Sequence, residues 1–407
     1  MTGPSTKALT IILGALAALG AAAIDMYLPS LPRIDVELAS GAGEAQLTLG
    51  AFLIGLGVGQ VFHGAISDAY GRRWVLIGGT VLYCLASLGC LTAGDINELI
   101  VWRFVQALGA ASGSVISRAI VRDLYDTNEG ARAQSFINMA FLVTPLLAPN
   151  IGGYLLAWFG WRAIFLVLCL FGVACLIAII VRVPESLPTD RRSPLAPGAL
   201  VRGVGRILTH RQTLGCMFAA ATSFGCMFTY FAASPFVYIT VYGVPEQHYG
   251  LLFSLNVVGI IATNFINARL VVKIGAIRMM WMGCAICAAG SLGLLATTQF
   301  DVGGLPGVVI PLFLVVSSLG FIGANALAGA MEPFPKLAAT TASMLGFSRM
   351  ILGAAAGALI TVIHDGTAKP MGLVICALGV LSLVFCLLLK GGGARGDPES
   401  TGQDPKP

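Results

Sequence analysis

Long runs of apolar residues alternate with short polar loops along almost the whole chain. Each run approaches or exceeds the roughly 20 residues that a helix needs to cross a bilayer. We predict twelve spans, at about 8–29, 46–66, 75–93, 97–119, 134–157, 161–181, 212–232, 248–269, 277–297, 305–328, 339–362 and 370–390. The predicted fold class is therefore an all-α membrane protein with twelve transmembrane helices.

The longest polar interruption lies between the sixth and seventh spans. Residues 182–211 hold six Arg, two acids and four prolines. We predict a linker at 182–211 that joins an N-terminal six-helix bundle, 1–181, to a C-terminal six-helix bundle, 212–390. The tail 391–407 is rich in Gly, Pro and charged residues, a composition that is typical of disordered segments.

The two predicted bundles show a faint internal repeat. The loop HGAISDAYGRRWVLIGG after the second span aligns with ARLVVKIGAIRMMWMG after the eighth, which places Gly71 opposite Gly275. The acid of the first copy is missing from the second. Parallel repeats of six helices are an architecture of secondary transporters, so the repeat favours a transporter.

Composition supports the membrane assignment and excludes several other classes of protein. The chain is 57% hydrophobic and 11% charged, whereas soluble domains have about 25% charged residues. All ten Cys lie in predicted spans, so they indicate neither a disulfide framework nor a zinc site. The sequence contains no Gly-rich phosphate loop, no Ser/His/Asp set and no His cluster. We therefore expect no enzyme, no metal, no cofactor and no nucleic-acid partner.

Lysine and arginine are distributed very unevenly over the predicted loops. If both termini face the cytoplasm, the inside segments carry eighteen of these cations and the outside loops carry three. Cytoplasmic segments of membrane proteins are enriched in Lys and Arg, so we predict that both termini and the linker face the cytoplasm. Three cations, Arg103, Arg118 and Arg349, fall at membrane depth.

One carboxylate lies well inside a predicted span. Asp25 is near the far end of the first span, and residues 8–23 before it carry no charge. Pro29 and Pro32 end or bend the helix just beyond it. A charged side chain at membrane depth is costly and usually faces a cavity with a function. The alternative is that Asp25 marks the membrane interface, where acids are tolerated.

The predicted fourth span presents a face of small and polar residues with two arginines. The polar members of this face are Arg103, Gln106, Ser114, Ser117 and Arg118. Arginines at such depth usually face the interior of the bundle. Arg103 lies about as far from the outer surface as Asp25, which suggests a direct or water-bridged interaction, and snorkelling to the headgroups is the alternative. For Arg118, nearer the inside, a cavity role and snorkelling stay equally open.

The second bundle has fewer charges, and its candidate binding residues are polar. Tyr230 lies on a stripe of the seventh span together with Ser223, Met227 and Ser234. Such aromatic stripes more often belong to a core, and we select Tyr230 for its hydroxyl group. Asn256 is the deepest Asn of the eighth span, and either a helix–helix hydrogen bond or a cavity position explains it.

The loop between the second and third spans carries a specific motif. Gly64, Asp68, Gly71, Arg72 and Arg73 match the G-x-x-x-D-x-x-G-R-R signature of the major facilitator superfamily in spacing and in position. The glycines are expected to permit close helix approach and a tight turn. The acid is expected to accept from an Arg or to lie against a helix N-terminus. The sequence thus resembles this family.

Three further stretches narrow the resemblance. The pattern R-x-x-Q-x-x-G-x-x-x-G from Arg103 to Gly113 is similar to the fourth-helix motif of proton-coupled members, with Ala107 in place of a Gly. APNIGG, Ala148 to Gly153, resembles the fifth-helix G-P-x-x-G-G motif of drug exporters, with Ala in place of the first Gly. DMYLP, VRDLY and SPFVYI resemble the Bcr/CflA, bicyclomycin-resistance-type branch of the drug:proton antiporters.

This resemblance implies a proton-coupled multidrug efflux antiporter of the bacterial inner membrane. Such a protein exports neutral or zwitterionic antibiotics, of the bicyclomycin, sulfonamide or phenicol type, in exchange for protons by alternating access. Its partners are the drug, protons and the lipid bilayer, and we expect a monomer. Asp25 and Arg103 are expected to couple protons to transport.

Two sets of residues are expected to serve this activity. The substrate-binding set is Asp25, Tyr27, Arg103, Arg118, Tyr230 and Asn256. The gating set, which includes a charge latch at the inside ends of the helices, is Gly64, Asp68, Gly71, Arg72, Arg73, Arg122, Asp123, Pro149, Gly152 and Gly153.

Other functions stay open. One is a proton-coupled exporter of a metabolite such as an amino acid or a sugar, which only a transport assay distinguishes from a drug exporter. Another is a non-transporting membrane sensor, which a large soluble signalling domain would favour. A membrane-embedded enzyme would need a reactive constellation of side chains, and the sequence shows neither feature.

The predicted orientation can be tested with a single cysteine in the linker. Ser193→Cys should resist membrane-impermeant thiol reagents in intact cells, because the linker faces the cytoplasm. Lys369→Cys, in a predicted outside loop, is the matched control and should be labelled. Rapid labelling at position 193 in intact cells would overturn the orientation.

Overall fold

The computed structural model describes residues 6–39, 41, 43–192, 205–334 and 337–390. The twelve long helices are α1 (Thr6–Asp25), α2 (Ala45–Tyr70), α3 (Arg72–Thr92), α4 (Ile96–Leu124), α5 (Thr127–Phe159), α6 (Arg162–Arg182), α7 (Arg211–Pro235), α8 (Glu246–Ile274), α9 (Ala276–Gln299), α10 (Gly304–Met331), α11 (Ala338–Val362) and α12 (Lys369–Lys390). Shorter helical segments are Leu28–Ser30, Leu31–Glu37, Thr189–Arg191 and Phe236–Val241.

Each of the twelve long helices overlaps one segment that is long and apolar enough to cross a membrane. In the described part of the chain the regular secondary structure is entirely helical. The predicted fold class is thereby confirmed. The tail 391–407 and residues 193–204 of the predicted linker lie outside the described residues.

Successive helices run in opposite directions, so that α1 begins and α12 ends at the same end of the bundle. We call this end basal and the opposite end apical. Apart from the connection between α6 and α7, the connections between the long helices are short, and several contain glycines with positive φ. Gly71 between α2 and α3 has φ 102° and Gly275 between α8 and α9 has φ 91°. Residues with a side chain rarely adopt this conformation, so the predicted tight turn at Gly71 is present.

The helices form two sets with the same internal contacts. In the first set α1 packs on α4 and α5, α2 packs on α4, and α3 packs on α4 and α6. In the second set α7 packs on α10 and α11, α8 packs on α10, and α9 packs on α10 and α12. This pairing of equivalent contacts matches the faint repeat in the sequence. The division into domains at 182–211 itself stays a prediction.

Two helix pairs, α5 with α8 and α2 with α11, make the most extensive contacts between the first set and the second. At the α5–α8 contact the backbones touch. A Cβ atom added at Gly250 would lie 2.6 Å from the backbone nitrogen of Asn150, and one added at Gly153 would lie 2.7 Å from the carbonyl oxygen of Glu246. Membrane helices commonly approach closely at small residues, where dispersion contacts replace the missing hydrophobic driving force.

Hydrogen bonds reinforce these two contacts near the apical end. Asn150 Nδ2 donates to Ser254 Oγ at 3.0 Å between α5 and α8. Thr361 Oγ1, at the end of α11, donates to the carbonyl oxygen of Gly43 at 3.0 Å. Arg33 and Glu246 approach to 3.9 Å across the same boundary. In this structure the two sets are thus closed against each other on the apical side.

Two further motif glycines, Gly109 and Gly113, lie in close helix contacts, whereas Gly64 does not. A Cβ at Gly109 would lie 2.5 Å from the backbone nitrogen of Tyr83 in α3, and one at Gly113 would collide with the carbonyl oxygen of Leu16 in α1. At Gly64 the nearest atom would be a methyl carbon of Val115 at 3.9 Å, an ordinary contact distance. The prediction of close helix approach at Gly64 is therefore wrong, because α4 leaves room for a methyl group there.

Gly152 of α5 offers a direct test of the packing. A Cβ at this position would collide with the carbonyl oxygen of Met26, whereas at Gly78 no atom lies within 4 Å. Gly152→Val should lower the free energy of unfolding by about 1–3 kcal/mol, the usual cost of overpacking, relative to the matched Gly78→Val. The buried cysteines allow unfolding of both variants to be followed with a thiol-reactive dye. Equal melting temperatures would contradict the tight contact between α5 and the end of α1.

Candidate functional site

The first membrane helix ends deep inside the bundle, and Asp25 is its last residue. Pro29 has no amide proton and lies in the 3-10 turn Leu28–Ser30, so the α-helical hydrogen bonds stop before it. The chain then continues through buried residues before the short helix Leu31–Glu37 reaches the apical surface. The α-helix of the predicted span 8–29 is therefore interrupted at Asp25, while the chain is still buried inside the helix bundle.

The side chain of Asp25 is buried and incompletely satisfied. It is 3% exposed, and its Oδ2 atom has no hydrogen-bond partner in the described part of the chain. Among the described residues it forms no ion pair within 4.0 Å. An unpaired charge is costly to bury, whereas a neutral carboxyl, or a carboxylate that meets a ligand, costs much less. The surrounding helices exclude Asp25 from the protein surface, and its depth in the membrane stays a prediction.

Arg103 caps the broken end of α1. The amide of Tyr27 donates to Ile24 at 3.2 Å, so it does not serve the carbonyl of Ala23 as a regular helix would require. The Nη1 atom of Arg103 donates to that carbonyl at 3.0 Å and to Gln106 Oε1 at 2.7 Å. A cation at the C-terminus of a helix also meets the negative end of the helix dipole. Arg103 is fully buried, so snorkelling to the headgroups does not occur.

Aromatic rings enclose the rest of the Arg103 guanidinium. Its central carbon lies 4.2 Å from the ring centre of Phe52 and 4.5 Å from that of Tyr27. Such cation–π contacts gain strength when water is excluded. The hydroxyl of Tyr27 is itself occupied by Thr48 Oγ1 at 2.9 Å. Tyr27 thus lines the arginine rather than presenting a free hydroxyl, and no direct ion pair joins Arg103 to Asp25 within 4.0 Å.

The second helix set contributes a buried network of hydroxyl and amide groups. Asn256 Nδ2 donates to the hydroxyl of Tyr230 at 2.9 Å, and the hydroxyls of Ser234 and Tyr249 lie 2.9 Å apart. The Tyr230 ring stacks on Phe253 with centroids 5.6 Å apart. Tyr230 and Asn256, two of the predicted substrate-binding residues, therefore belong to one cluster. The hydroxyl of Tyr230 already has a hydrogen-bond partner in that cluster.

Asp25 and this cluster face each other across the boundary of the two sets. Asp25 lies within electrostatic range of Tyr230 and Tyr249, and the turn after it packs against α7 and α8. Oδ1 of Asn256 and two guanidinium nitrogens of Arg103 are also buried without hydrogen-bond partners in the described residues. Unsatisfied buried polar atoms are rare and commonly bind water, protons or ligands. We take Asp25, Arg103, Tyr230, Tyr249 and Asn256 as the candidate central site.

Arg118 does not belong to this site. The part of α4 between Arg103 and Arg118 is about 22 Å long at 1.5 Å per residue. The Arg118 side chain is exposed and lies 6.0 Å from the ring centre of Phe141. It lines a separate cavity at the basal end with Tyr125 and Gln134. The structure thus separates Arg118 from the other predicted substrate-binding residues.

A second polar cluster lies at the basal end and is centred on Arg72. Its guanidinium binds Asp68 at 2.6 Å and Asp123 at 3.0 Å, and Nη1 donates to Ser67 Oγ at 2.7 Å. The side chain of Arg72 is 2% exposed and that of Asp68 is 49% exposed. The motif residues are thus brought together around one buried cation, which links the end of α2 to the end of α4.

Glu185 completes this basal cluster, and the sequence analysis did not single it out. Its carboxylate accepts from the backbone amides of Arg72 and Arg73 at 2.8 and 3.2 Å. These are free amides of the first turn of α3, where a carboxylate is favoured by both hydrogen bonding and the helix dipole. Ser186 Oγ donates to Asp123 Oδ2 at 3.2 Å. The chain after α6 therefore fastens α3 to α4.

The other predicted gating residues have weaker or different contacts. Arg122 is exposed and reaches Asp123 only at 3.8 Å, and Nη2 of Arg73 donates to the carbonyl of Ile180 at 2.8 Å. Pro149 lies inside α5, next to Asn150, which makes the hydrogen bond to α8. The APNIGG stretch is thus a helix–helix contact, and a role in flexing stays a prediction.

Several residues that form these sites and helix contacts gave only weak signals in the sequence. Glu185 is one acid in an arginine-rich segment, and only its position directly after α6 relates it to the start of α3. Asn150 lies inside the APNIGG stretch, in which the predicted gating residues are Pro149, Gly152 and Gly153. Tyr249 and Phe52 belong to apolar runs, and their partners are identified only when the helices are packed.

Comparisons with known proteins agree with the geometry. The family model described as Major Facilitator Superfamily matches residues 11–358. The chain is 34% identical over 380 residues to the bicyclomycin resistance protein homolog of Haemophilus influenzae, which covers 93% of this chain and 95% of that relative. It is 29% identical over 391 residues to multidrug resistance protein D of Escherichia coli, which covers 93% and 95%.

The fold is also found among solved structures. A crystal structure of a D-xylose–proton symporter superposes with a TM-score of 0.74, over 94% of this chain and 96% of that one, at 18% sequence identity. Such a likeness shows a shared fold. Together with the family model and the relatives, it establishes that the chain belongs to the major facilitator superfamily, in its Bcr/CflA-like, bicyclomycin-resistance-type branch, and is a membrane transporter and not an enzyme.

Proposed function

We propose that this transporter exports drug-like compounds across the bacterial inner membrane in exchange for protons. The observation that carries the proposal is Asp25, a buried carboxyl with an unpartnered oxygen at the boundary of the two helix sets. A carboxyl in that position can hold a proton or release it when a ligand changes its surroundings. No other candidate in the central site exchanges a proton so readily, since Arg103 stays charged at all physiological pH values.

The energetics of this exchange are sufficient. The import of one proton down a membrane potential supplies about 2.3 kcal/mol per 100 mV. That is enough to drive the export of a neutral compound against a gradient. Binding of drug and proton must exclude each other at Asp25, because each then leaves only after the other has entered.

The substrate class follows from the balance of charges. The central site holds one acid and one arginine, and Arg118 lies on the basal side of it. A site with this balance is poorly suited to dications and better suited to neutral or zwitterionic molecules. The names of two relatives, a bicyclomycin resistance protein homolog and a multidrug resistance protein, support an antibiotic as the substrate. The proposed compounds are of the bicyclomycin, sulfonamide or phenicol type.

Alternating access requires that the apical closure opens while the basal end closes. The hydrogen bonds between α5 and α8 are few and only partly buried. On the basal side, Arg72 holds its acids within the first helix set, and the half-exposed Asp68 is able to exchange partners. We assign Asp68 as the latch, with both termini and the linker in the cytoplasm and a single chain as the transporting unit.

Asp68→Asn should impair turnover far more than substrate binding. The variant keeps the Asp123 and Ser67 contacts of Arg72, so the folded basal end survives. We expect turnover to fall about tenfold, which corresponds to about 1.4 kcal/mol in the barrier, with the Kd for drug almost unchanged. Asp190→Asn, an exposed acid of the same end, is the matched control. Lost affinity with normal conformational exchange would exclude the latch.

The proton-carrying role of Asp25 can be tested in purified protein. Asp25→Asn keeps the shape and hydrogen-bonding capacity of the neutral acid but cannot release a proton. It should therefore reduce gradient-driven export to background and abolish drug-induced proton release, while drug binding is retained. Asp25→Glu moves the titrating group by one methylene and should keep partial activity. Arg103→Ala is a less specific probe, because it also uncaps α1.

The control is Asp301→Asn, which removes an exposed acid of an apical loop. It should leave proton release and export unchanged. Undiminished proton release from Asp25→Asn would show that another group carries the proton. If none of the three antibiotic types induces proton release but an amino acid or a sugar does, the protein is instead a metabolite exporter.

A further inference from the structure

Among the described residues of the second helix set, Arg349 is the only cation near the middle of a long helix. It lies in α11, which runs from Ala338 to Val362. Nη2 of its guanidinium donates to the carbonyl oxygen of Gly323 in α10 at 3.1 Å. Its Nε atom is buried without a hydrogen-bond partner in the described part of the chain. A cation at membrane depth is costly and usually faces a cavity with a function.

The side chain of Arg349 points into the bundle and away from lipid. Phe347 and Ile351, two residues before and two residues after it, are 41% and 40% exposed. Successive residues of an α-helix are about 100° apart, so both of these apolar residues lie on the face opposite to Arg349. The exposed apolar face of α11 is thus turned outward, and the arginine is turned inward.

The inward face of α11 meets the boundary of the two helix sets. Gly353 lies one turn after Arg349 on nearly the same face. A Cβ atom added at Gly353 would lie 3.2 Å from both Leu53 of α2 and Phe228 of α7. Arg349 is only partly buried in spite of its inward direction. Its guanidinium therefore borders the space between the two sets.

A row of aromatic rings on α7 connects Arg349 with the central site. The central carbon of the guanidinium lies 5.9 Å from the ring centre of Phe224. The ring centres of Phe224 and Phe228 are 4.9 Å apart, and those of Phe228 and Phe231 are 5.1 Å apart. The ring of Phe231 lies 5.8 Å from that of Tyr230. Phe224 precedes Tyr230 by about 9 Å of helix, at 1.5 Å per residue, so the row leads from Arg349 on the basal side to the central site.

Arg349 lacks the partners that the other buried arginines have. Arg72 binds two carboxylates, and Arg103 is fully buried between rings and hydrogen-bond acceptors. Arg349 forms no ion pair within 4.0 Å in the described residues. A guanidinium has five N–H donors, and the carbonyl of Gly323 occupies one of them. An anion that enters between the two sets therefore meets an accessible cation with free donors.

We propose that Arg349 binds an acidic group, such as a carboxylate, of the compound that the transporter carries. This inference rests on the proposed function and narrows its substrate class. The apolar body of the compound lies along the rings of α7, and its other end reaches Asp25 and Tyr230. A basic group at that end competes with the proton for Asp25. Zwitterions with an acid at one end therefore satisfy both ends of the site.

The experiment compares benzoate with benzamide, which has nearly the same shape and no charge. Purified full-length protein is titrated with each compound at constant ionic strength, and the apparent Kd follows from the rise in melting temperature. Benzoate should bind about tenfold more tightly than benzamide, because charge-assisted hydrogen bonds to arginine are the stronger ones. Arg349→Gln should abolish this preference. Arg349→Lys should retain part of it, since lysine keeps the charge but not the planar fork.

A second variant neutralises Arg349 without replacing it. A Cβ atom added at Gly323 would lie 3.8 Å from Nη2 of Arg349, an ordinary contact distance. Gly323→Asp therefore places a carboxylate beside the guanidinium and should abolish the benzoate preference. Gly323→Asn, of the same shape and without charge, is the matched control and should keep the preference. Arg278→Gln, which removes an exposed arginine at the basal end, should also keep it.

A purely structural role of Arg349 would give a different result, because a hydrogen bond between α10 and α11 does not distinguish benzoate from benzamide. Equal binding of the two compounds by the parent protein would overturn the proposal. So would a preference that Arg349→Gln and Gly323→Asp leave intact, because the anion would then bind at another cation. If Arg349→Gln does not fold, the pair Gly323→Asp and Gly323→Asn decides alone.

These outcomes are independent of the test of Asp25. A benzoate preference that depends on Arg349, in a protein without drug-induced proton release, would support the acid-binding site and contradict the exchange of drug for protons. Normal proton release in a protein without the preference would overturn the acid-binding site alone.

Discussion

Arg103 donates to the carbonyl of Ala23 at 3.0 Å, and the central site depends on this contact. Arg103 caps α1 where the helix ends inside the bundle, because its guanidinium donates to a carbonyl that receives no amide donor from the helix. The aromatic rings of Phe52 and Tyr27 exclude water from the same guanidinium. Arg103 forms no ion pair with Asp25 within 4.0 Å in the described residues, so Asp25 is left as a carboxyl without a fixed cation. Under the proposed function, its charge state responds to a ligand.

The packing of the helix sets explains why this site lies between them. The motif glycines of α4 and α5 let backbones touch, so that α4 and α5 hold α1 from two sides. The same glycine-rich surface of α5 continues onto α8 and closes the apical side. A single helix thus contacts both the turn after Asp25 and the second set. Movement of α5 relative to α8 therefore cannot leave the surroundings of Asp25 unchanged.

The sequence predicts features that depend on rarity or on local order, and it misses those that depend on packing. Asp25 and Arg103 are identifiable because charges at membrane depth are rare. Gly71 is identifiable because its turn is local. Glu185 contacts Arg72, which lies 113 residues earlier in the chain. The residues around Glu185 in the sequence do not indicate this partner. Gly64 shows the opposite error, because a motif position does not tell which face of α2 meets α4.

The two helix sets have the same internal helix contacts, but the polar groups that they place in their clusters differ. The first set places ionised groups at both of its polar clusters, around Arg103 and around Arg72. The second set places hydroxyl and amide groups of Tyr230, Tyr249 and Asn256 opposite the central charges. Under the proposed function, these groups bind the substrate without changing their own charge, and a carboxyl that changes its charge faces partners that do not. The proposed exchange of drug and proton then takes place at Asp25 while the rest of the cavity keeps a constant charge.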